Sequence, residues 1–554
     1  MYSELAQHAR GPQVPNPPVS PYYPGRTLPG TPVPVAVRLG FIAAGVGALT
    51  GCAPVANPAL VAPRTKPTLV VLITIDQMRP DYYDRFRSQL TGGLARFWRD
   101  GAVFTDAHHD HAITETAPGH ATLLSGRLPR STGITRNLAG VNDPRWPVLG
   151  ARDAGAAPFR FRGTTLTDWL LATDPATRAL SVSAKDRAAI LPIGRSKQQV
   201  YWYNNNGTMS TSTWYADSLP AWVTAFNARQ IPRGYAGKAW TTLLPGGSYR
   251  ERDSVPVEAF GRGFVFPHVL PQDSNAATVQ FRFTPFIDEL TAAFALEGVR
   301  RMNLGGGTAT DLLAVSFSGT DYIGHFFGPE SMEQHDQIVR LDRVLGGFLD
   351  TLFTLRDPSQ IILALSADHG GGLVPELHGH LRVDLDPAFA AARALIRASG
   401  GDSVALDNES GAVFIDRAKL GRATEQAVID TFSARARAIA GVARVDRFAD
   451  LSNRDLKRDY VARRWLNMFP DDMLPSAVVT LTPGNIFNYP IVATHGGPHP
   501  YDSHVPLIFL GAGFKAGRYR SPVRTVDLAP TLAHALGVTP TEALDGVPLL
   551  PPTR

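Results

Sequence analysis

The chain has 554 residues, of which 44% are hydrophobic and 19% are charged, and its formal net charge near neutral pH is +5. That length is ample for one large hydrophobic core with appended subdomains. The Lys and Arg residues are dispersed, so the charge gives no argument for nucleic-acid binding. A positively charged pocket for a small anion is still compatible with it, because such a pocket needs only two or three side chains.

The N-terminal segment has the pattern of an export signal. Residues 1–37 are rich in Pro and polar side chains, and Arg38 then precedes an apolar run over residues 39–49. This run is too short to span a bilayer as a mature helix and is typical of a secretory signal peptide. We predict a leader over residues 1–51 and a linker over residues 52–66.

Cys52, the single cysteine of the chain, directly follows a Leu-Thr-Gly triplet. The triplet resembles a bacterial lipobox, in which cleavage leaves the Cys acylated at the new N-terminus. This pattern predicts an exported protein, periplasmic or attached to the outer membrane through a lipid on Cys52. The alternative is an ordinary signal peptide with a chance Cys near its cleavage site. A single cysteine excludes an internal disulfide in either case.

Beyond the linker, short apolar runs alternate with helical patterns, which predicts an α/β fold with a mainly parallel central sheet and helices on both faces. Buried strands are expected at residues 69–75, 312–318, 361–366 and 505–510, and helices near residues 81–100 and 527–532. This core would comprise residues 67–199, 286–385 and 484–554.

Two insertions interrupt the predicted core. Residues 200–285 open with aromatic residues and three Asn and continue without clear periodicity, which favours a cap over the site. Residues 386–483 are predicted to form a small α+β subdomain. Its helix is expected near residues 425–440 and its strands at residues 412–415 and 442–445.

Acidic and imidazole side chains follow three of the predicted strands. Open α/β sheets bind ligands at the carboxyl ends of their strands, so these groups are expected to converge. Together they predict a site for two zinc-like cations and metal-assisted hydrolysis of an ester. Taken singly, each could be a helix cap or a structural side chain. The residues are Asp76, Asp321, His325, Asp368 and His369.

Residues 114–122 predict a turn from a strand into a helix, with Thr116 near the helix N-terminus. Backbone N–H groups there favour an anion such as phosphate. A Thr hydroxyl is a poor nucleophile near neutral pH, and coordination to a divalent cation would activate it. The alternatives are that Thr116 only caps the helix, or that Thr114 or Thr122 supplies the hydroxyl.

Further histidines are also candidates. His504 directly precedes the strand at residues 505–510, in the same strand-end context as the groups above. His495 and His499 flank a Gly-Gly-Pro loop and are weaker candidates for metal ligation. Two other weak clusters have the composition of metal motifs, His108-His109-Asp110-His111 and His378-Gly379-His380.

Seven segments together resemble the alkaline phosphatase superfamily, and more closely its PafA-type bacterial alkaline phosphatases, which use a Thr nucleophile. The segments are residues 75–81, 116–121, 133–137, 185–187, 321–325, 368–370 and 502–506. The resemblance extends from Thr68 to the C-terminus. It implies an alkaline-phosphatase-like fold and an enzyme that hydrolyses small phosphate monoesters through a phosphothreonine intermediate.

The resemblance also implies two zinc ions, although Asp and His ligands do not exclude manganese or iron. The third, magnesium site of serine-type alkaline phosphatases is not evident, so no magnesium is predicted. The implied ligands of one zinc are Asp321, His325 and His504. The implied ligands of the other are Asp76, Asp368 and His369, with Thr116 as the nucleophile beside it.

For the phosphate group, the resemblance implies an amide N–H from Asn137 and cationic contacts from Lys185 and Arg187. A dianionic monoester has more charged oxygens than a diester, and such donors suit it. The pair Arg195 and Lys197 is an alternative ten residues on. We prefer the earlier pair because a predicted strand ends beside it.

Three other functions are weighed against this one. A phosphodiesterase or nucleotide pyrophosphatase could use the same metals. A sulfatase is disfavoured because the segment at Thr116 lacks the Arg of the sulfatase signature. From a different class, the chain could be a non-catalytic phosphate- or glycan-binding lipoprotein. Small phosphate esters are the expected partners, and a monomer is expected.

Overall fold

The computed structural model describes residues 66–549, apart from residues 139, 403–404, 417–418 and 421. The predicted leader, Cys52 and all of the predicted linker except Lys66 lie outside the described residues. Among the helices of the described part, none has both the length and the hydropathy needed to cross a bilayer.

The strands are given in chain order. They are β1 Leu69–Ile75, β2 Ala102–His108, β3 Ala179–Ser183, β4 Gln199–Tyr203, β5 Met209–Ser210, β6 Ala239–Trp240, β7 His268–Val269, β8 Asp311–Phe317, β9 Ile361–Ser366, β10 Arg382–Val383, β11 Leu406–Glu409, β12 Ala412–Ile415, β13 Val442–Arg447, β14 Ala477–Leu481, β15 Ile486–Phe487, β16 His504–Gly511, β17 Gly517–Tyr519 and β18 Val523–Arg524.

The α-helices follow the same order. They are α1 Asp81–Phe86, α2 Gly93–Asp100, α3 Thr116–Leu123, α4 Pro129–Thr132, α5 Leu166–Thr173, α6 Asp186–Ile190, α7 Ala221–Asn227, α8 Ser274–Phe281, α9 Phe286–Arg301, α10 Gly319–Phe327, α11 Met332–Leu355, α12 Asp386–Ala398, α13 Arg422–Arg437, α14 Tyr460–Leu466, α15 Pro500–Ser503 and α16 Leu528–Leu536.

In the described residues, one ten-stranded sheet organises the molecule, in the order β17-β2-β16-β9-β1-β8-β3-β4-β5 with β18 beside β2. β9, β1, β8, β3 and β4 run parallel to one another. β16 runs antiparallel to both β9 and β2. The predicted mainly parallel α/β sheet is therefore confirmed.

Both faces of the sheet are covered, which explains why the central strands are apolar throughout. Val71 and Ile73 of β1 belong to a buried cluster with residues of α9 and α11. Val70 and Leu72 belong to a second cluster with residues of α3 and α16. Each fully buried aliphatic side chain of this kind contributes about 1.5–3 kcal/mol.

The single helix predicted over residues 81–100 is wrong, because the segment forms α1 and α2 with a break between them. Asp342 of α11 accepts hydrogen bonds from the N–H groups of Thr91 and Gly92 at 2.7 and 2.6 Å. A Cβ on Gly92 would lie 2.1 Å from the Asp342 carbonyl oxygen. The tertiary contact with α11 therefore ends one helix and begins the next.

The segments predicted as insertions take different places in the fold. Residues 200–210 belong to the predicted cap, but β4 and β5 extend the central sheet instead. Aromatic residues such as Tyr201 and Trp202 pack well on a pleated surface. Within residues 386–483, β11, β12, β14 and β13 form a separate antiparallel sheet. α12 and α13 share a buried cluster with this sheet.

Candidate active site

Parallel neighbours bring several strand-end side chains to one edge of the central sheet. In the register of β1 with β8, Ile75 lies beside Phe317, and in that of β1 with β9, Thr74 lies beside Ser366. β3 lies on the other side of β8. Residues that follow these strands therefore meet at their carboxyl ends. They are Asp76, Lys185, Asp321, Asp368 and His369.

Asp76, Asp368 and His369 form a first cluster of fully buried side chains. His369 Nε2 lies 3.5 Å from Asp76 Oδ1 and 3.5 Å from Asp368 Oδ2. The N–H groups of Gln77 and His369 donate to Asp368 Oδ1 at 3.2 and 3.0 Å and orient that carboxylate. The other oxygen of that carboxylate, Asp368 Oδ2, and His369 Nε2 are close enough to bind one cation.

Asp321, His325 and His495 form a second cluster. Asp321 and His325 are four residues apart in α10 and share one helix face, with His325 Nε2 3.1 Å from Asp321 Oδ1. His495 Nε2 lies 3.2 Å from His325 Nε2 and 3.5 Å from Asp321 Oδ1. The rings of His495 and His369 stack at 3.5 Å, so the two clusters adjoin.

The three histidines of these clusters have the same hydrogen-bond pattern at Nδ1. Nδ1 of each ring lies at hydrogen-bond distance from a backbone carbonyl oxygen, which can only accept. In the neutral ring Nδ1 therefore carries the proton and Nε2 keeps its lone pair, as metal-binding histidines require. The carbonyl groups are those of Ala493 for His325 at 2.8 Å, Gly370 for His369 at 2.9 Å and Thr114 for His495 at 2.7 Å.

Negative charge is concentrated between the clusters. Burial, together with repulsion from Asp321 and Asp368, raises the pKa of Asp76 well above its usual value. Lys185 Nζ lies 2.6 Å from Asp76 Oδ2 and 2.5 Å from Asp321 Oδ2. Burial opposes the charge of Lys185, but these two carboxylates raise its pKa and keep it protonated. One ammonium does not neutralise three buried carboxylates, so the site favours further cations.

The donor atoms of the site fit divalent cations. Asp76 Oδ1 and His369 Nε2 are buried and have no hydrogen-bond partner among the described residues. Buried polar atoms are normally paired, and carboxylate oxygen and imidazole nitrogen are ligands that zinc and related metals prefer. The two clusters therefore offer two adjoining cation sites, of three protein ligands each.

Thr116 is the first residue of α3, and its side chain is fully buried. Its Oγ1 lies 3.5 Å from Lys185 Nζ, the group that bridges the clusters. The hydroxyls of Thr114 and Thr122 instead donate to backbone carbonyl groups, each at 2.9 Å. Of these three hydroxyls, the geometry favours that of Thr116 as the reacting group.

Close packing holds α3 against the first cluster. His120 Nδ1 lies 3.1 Å from Asp368 Oδ2 and 2.9 Å from the Thr116 carbonyl oxygen, and its Nε2 lies 2.9 Å from Ser316 Oγ. A Cβ on Gly119 would lie 2.0 Å from the Asp368 carbonyl oxygen. Only Gly permits this approach, which brings the start of α3 to the candidate metal ligands.

Asn137 lies beside the N-terminus of α3. Its Oδ1 accepts the N–H of Ala117 at 2.8 Å, which leaves Nδ2 as the donor of the side-chain amide. Its backbone N–H donates to Glu115 Oε2 at 3.0 Å, and Glu115 Oε1 accepts from Ser410 Oγ at 2.6 Å. Ser410 lies between β11 and β12, so the small subdomain supports the Asn137 loop through Glu115. No sequence pattern indicates the contact between Glu115 and Ser410, because 295 positions separate the two residues.

Ser410→Ala is expected to lower kcat/KM for a phosphate monoester by about 10-fold, since a hydrogen bond to a charged group contributes about 1.5–3 kcal/mol. The loss would act through the position of Asn137 and appear mainly in KM. Steady-state kinetics measure it, with Ser452→Ala at an exposed position of the same subdomain as the control. Unchanged kinetics in Ser410→Ala would exclude this support role.

The earlier of the two candidate cation pairs includes a residue that touches both clusters. Lys185 contacts both clusters, and the Arg187 side chain follows it in α6 and is 13% exposed. The pKa of Arg187 is raised, against the effect of burial, by Asp186 and by more distant carboxylates that include Asp76. Lys197 instead donates to the Trp214 carbonyl group and lies over that indole ring.

His504 is not part of the second cluster, contrary to the ligand set that the family resemblance implies. It begins β16, its Nε2 lies 3.0 Å from the Thr105 carbonyl oxygen, and its ring stacks on His108. Antiparallel pairing with β2 holds it there. His495 lies with the second cluster instead, where Gly496 adopts a φ of 112° and lets the loop turn.

Gln77 was not predicted as a site residue, yet it contacts both clusters. Besides its backbone bond to Asp368, its Nε2 donates to Asp321 Oδ1 at 3.2 Å. Its φ of 60° is unusual for a residue other than Gly, and such conformations are concentrated at functional sites. The one sequence feature that could have indicated Gln77 as a site residue is its position directly after Asp76 at a strand end.

Comparison with known proteins gives consistent results. The family model described as type I phosphodiesterase / nucleotide pyrophosphatase matches residues 70–145 and 175–479. Alkaline phosphatase PhoV of Synechococcus elongatus is 32% identical over 519 residues, which cover 85% of this chain and 90% of PhoV. Alkaline phosphatase PafA of Elizabethkingia meningoseptica is 30% identical over 530 residues, which cover 85% of this chain and 92% of PafA.

A solved structure agrees with the fold. The crystal structure of wild-type alkaline phosphatase PafA matches with a TM-score of 0.81 at 29% sequence identity. The match covers 87% of this chain and 98% of that chain.

Proposed function

Because this chain belongs to the type I phosphodiesterase / nucleotide pyrophosphatase family of the alkaline phosphatase superfamily, we propose that it is an alkaline phosphatase that hydrolyses phosphate monoesters. One observation supports this most directly. The Thr116 hydroxyl lies 3.5 Å from Lys185 Nζ, and that ammonium contacts one carboxylate from each candidate cation site. The residues proposed as nucleophile, phosphate-binding cation and metal ligands therefore lie close together in a buried region.

Two zinc ions are the proposed cofactors. The ligands of one would be Asp76, Asp368, His369 and Thr116, and those of the other Asp321, His325 and His495. Bound divalent cations would lower the pKa of the Thr116 hydroxyl and stabilise negative charge on the leaving oxygen. Mixed His and Asp ligation favours zinc and also accommodates manganese or iron.

The residues of the site would act in two steps. Thr116 Oγ1 forms a bond to phosphorus as the bond from phosphorus to the ester oxygen breaks, which gives phosphothreonine and releases the alcohol. Water then attacks phosphorus, Thr116 regains its hydroxyl and phosphate leaves. Both displacements place the entering and leaving oxygens in line, so positioning and charge stabilisation account for most of the catalysis.

Lys185, Arg187 and Asn137 would bind the oxygens of phosphate that do not react. With cations bound to Asp76 and Asp321, those carboxylates are neutralised and Lys185 can turn its ammonium to a phosphate oxygen. Asn137 Nδ2 adds an N–H donor because its Oδ1 is already engaged by Ala117. A dianionic monoester uses all of these donors, and a diester has one charged oxygen fewer.

We also propose that the protein is exported, either as a periplasmic protein or with a lipid on Cys52, and that it acts as a monomer. The apolar run at residues 39–49 and the Leu-Thr-Gly triplet before Cys52 support the export proposal. Mass spectrometry of the mature N-terminus, after expression with its leader, would distinguish an acylated Cys52 from an ordinary cleaved signal.

The family name leaves a phosphodiesterase as the second candidate, and one experiment separates the two functions. Lys185→Ala and Arg187→Ala should each lower kcat/KM for an aryl phosphate monoester by about 10- to 100-fold, since each removes a charge-assisted contact of about 1.5–3 kcal/mol. Turnover of the matched methyl diester should change little. Steady-state kinetics on both substrates measure the difference, with Lys197→Ala as the control.

The two functions predict opposite patterns in that experiment. Equal losses on monoester and diester, or faster turnover of the diester by the unmodified protein, would favour the phosphodiesterase. Removal of metal by a chelator should abolish turnover, and added Zn²⁺ should restore it. A protein that binds phosphate but turns over neither ester would instead be a binding protein.

A further inference from the structure

Three donor side chains lie together on the β2–β16 strand pair, apart from the catalytic clusters. His108 of β2 and His504 of β16 are register partners, so their side chains project from the same face of the sheet. Asp106 is two residues from His108 on β2 and shares that face. All three are half-buried, whereas Ala107 and Val505 between and beside them are fully buried.

The distances within this group suit a shared cation. One donor atom from each of Asp106, His108 and His504 lies within 4.8 Å of the other two. Asp106 Oδ1 lies 3.0 Å from His108 Nε2, and the two imidazole rings are 4.7 Å apart at 19°. Two imidazole nitrogens and one carboxylate oxygen form a donor set typical of zinc and related transition metals.

Hydrogen bonds outside the group orient both rings. His504 Nε2 lies 3.0 Å from the Thr105 carbonyl oxygen, so it carries the proton and Nδ1 keeps a lone pair. His108 Nδ1 lies 3.0 Å from Ser503 Oγ and 3.5 Å from Arg464 Nη2, and these contacts hold the ring with Nε2 directed at Asp106. A neighbour that holds the second ring nitrogen in this way is usual at metal sites.

We propose that Asp106, His108 and His504 form a third metal site, which takes one exchangeable divalent transition-metal cation of the zinc class. Three protein donors leave a position for water, and partial exposure allows exchange with solvent. The proposal does not depend on the proposed phosphatase activity, because none of the three residues belongs to the catalytic clusters.

Hydrogen bonds from His109 link the third site to the catalytic site. His109, next to His108, donates its backbone N–H to the Ser503 carbonyl oxygen at 2.9 Å. The His109 ring Nε2 lies 2.9 Å from the carbonyl oxygen of Ala367, which directly precedes Asp368. A cation bound to both β2 and β16 would therefore restrict the motion of the C-terminal end of β9, which Asp368 follows.

The test uses the full-length holoprotein with its two tightly bound cations in place. Isothermal titration with Zn²⁺ should reveal one further equivalent in the unmodified protein. His504→Ala and Asp106→Asn should each weaken that further equivalent by at least about 10-fold, since each removes a donor. His534→Ala, which removes an exposed histidine at the end of α16, should bind Zn²⁺ as the unmodified protein does.

A second measurement, the melting temperature, distinguishes loss of the third site from misfolding of a variant. Added Zn²⁺ should raise the melting temperature of the unmodified holoprotein and of His534→Ala, and should leave that of Asp106→Asn unchanged. Absence of the further equivalent in the unmodified protein, or its persistence in both variants, overturns the proposal. Loss of one tightly bound cation together with activity in His504→Ala also overturns it, because that result assigns His504 to the catalytic pair.

Discussion

Thr116→Ala is expected to lower turnover of a phosphate monoester by about 10³-fold or more while the protein keeps its bound metal. The substitution removes the hydroxyl that lies 3.5 Å from Lys185 Nζ, and with it the atom that would carry the phosphoryl group. The three protein ligands of each cation site remain. Initial rates and elemental analysis of the same preparation measure the two quantities together.

Two matched variants control this result. Thr116→Ser keeps a hydroxyl on the same backbone and should retain part of the activity. Thr122→Ala removes a hydroxyl from the same helix, one that donates to a backbone carbonyl group, and should leave turnover nearly unchanged. Substantial turnover in Thr116→Ala would refute the nucleophile assignment, and loss of metal in that variant would assign it mainly a ligand role.

His495→Ala and His504→Ala should have opposite effects. We expect His495→Ala to lose one of two tightly bound cations and to lower kcat by about 10²-fold or more, because its Nε2 completes the donor set with Asp321 and His325. His504→Ala should keep both cations and most of the activity, because its ring lies beside His108. Elemental analysis after dialysis, combined with initial rates, compares the two variants directly.

Each variant serves as the control of the other, since both remove one imidazole from the same stretch of chain. The reverse pattern, with metal and activity lost in His504→Ala alone, would restore the ligand set implied by the family resemblance. Equal losses in both variants would indicate that β16 and the loop at His495 are energetically coupled, and would contradict the separate sites described above.

Much of the fold could be predicted because its signals are local. Short apolar runs at residues 69–75 and 361–366 match β1 and β9, and a strand covered on both faces has little use for polar residues. Asp76, Asp321 and Asp368 follow such runs directly. Their meeting at one sheet edge follows from parallel pairing of the strands, which the alternation of strands and helices already predicts.

The start of α3 was predictable for the same reason. Pro118 in the first turn is compatible with a helix that begins at Thr116, because the first turn does not need every N–H. The position of Lys185 directly after β3 likewise depends on a strand that could be identified from residues 181–184. In these cases the functional side chain lies within a few residues of the helix or strand that positions it.

Other features depend on contacts between distant parts of the chain. The break between α1 and α2 results from Asp342 of α11, and Ser410 reaches Glu115 across 295 positions. His495 lies in a Gly-containing loop and His504 begins β16, and their local sequences do not show which of them meets Asp321 and His325.

The amino-acid sequence alone therefore determined the strands, the acidic groups at their ends and the hydroxyl at the helix start, because neighbouring residues specify each of these. Only the tertiary structure decided which histidine completes the second cluster and which residues support Asn137. Those outcomes depend on strand register and on where a glycine-containing loop turns, and both are set by packing against residues hundreds of positions away.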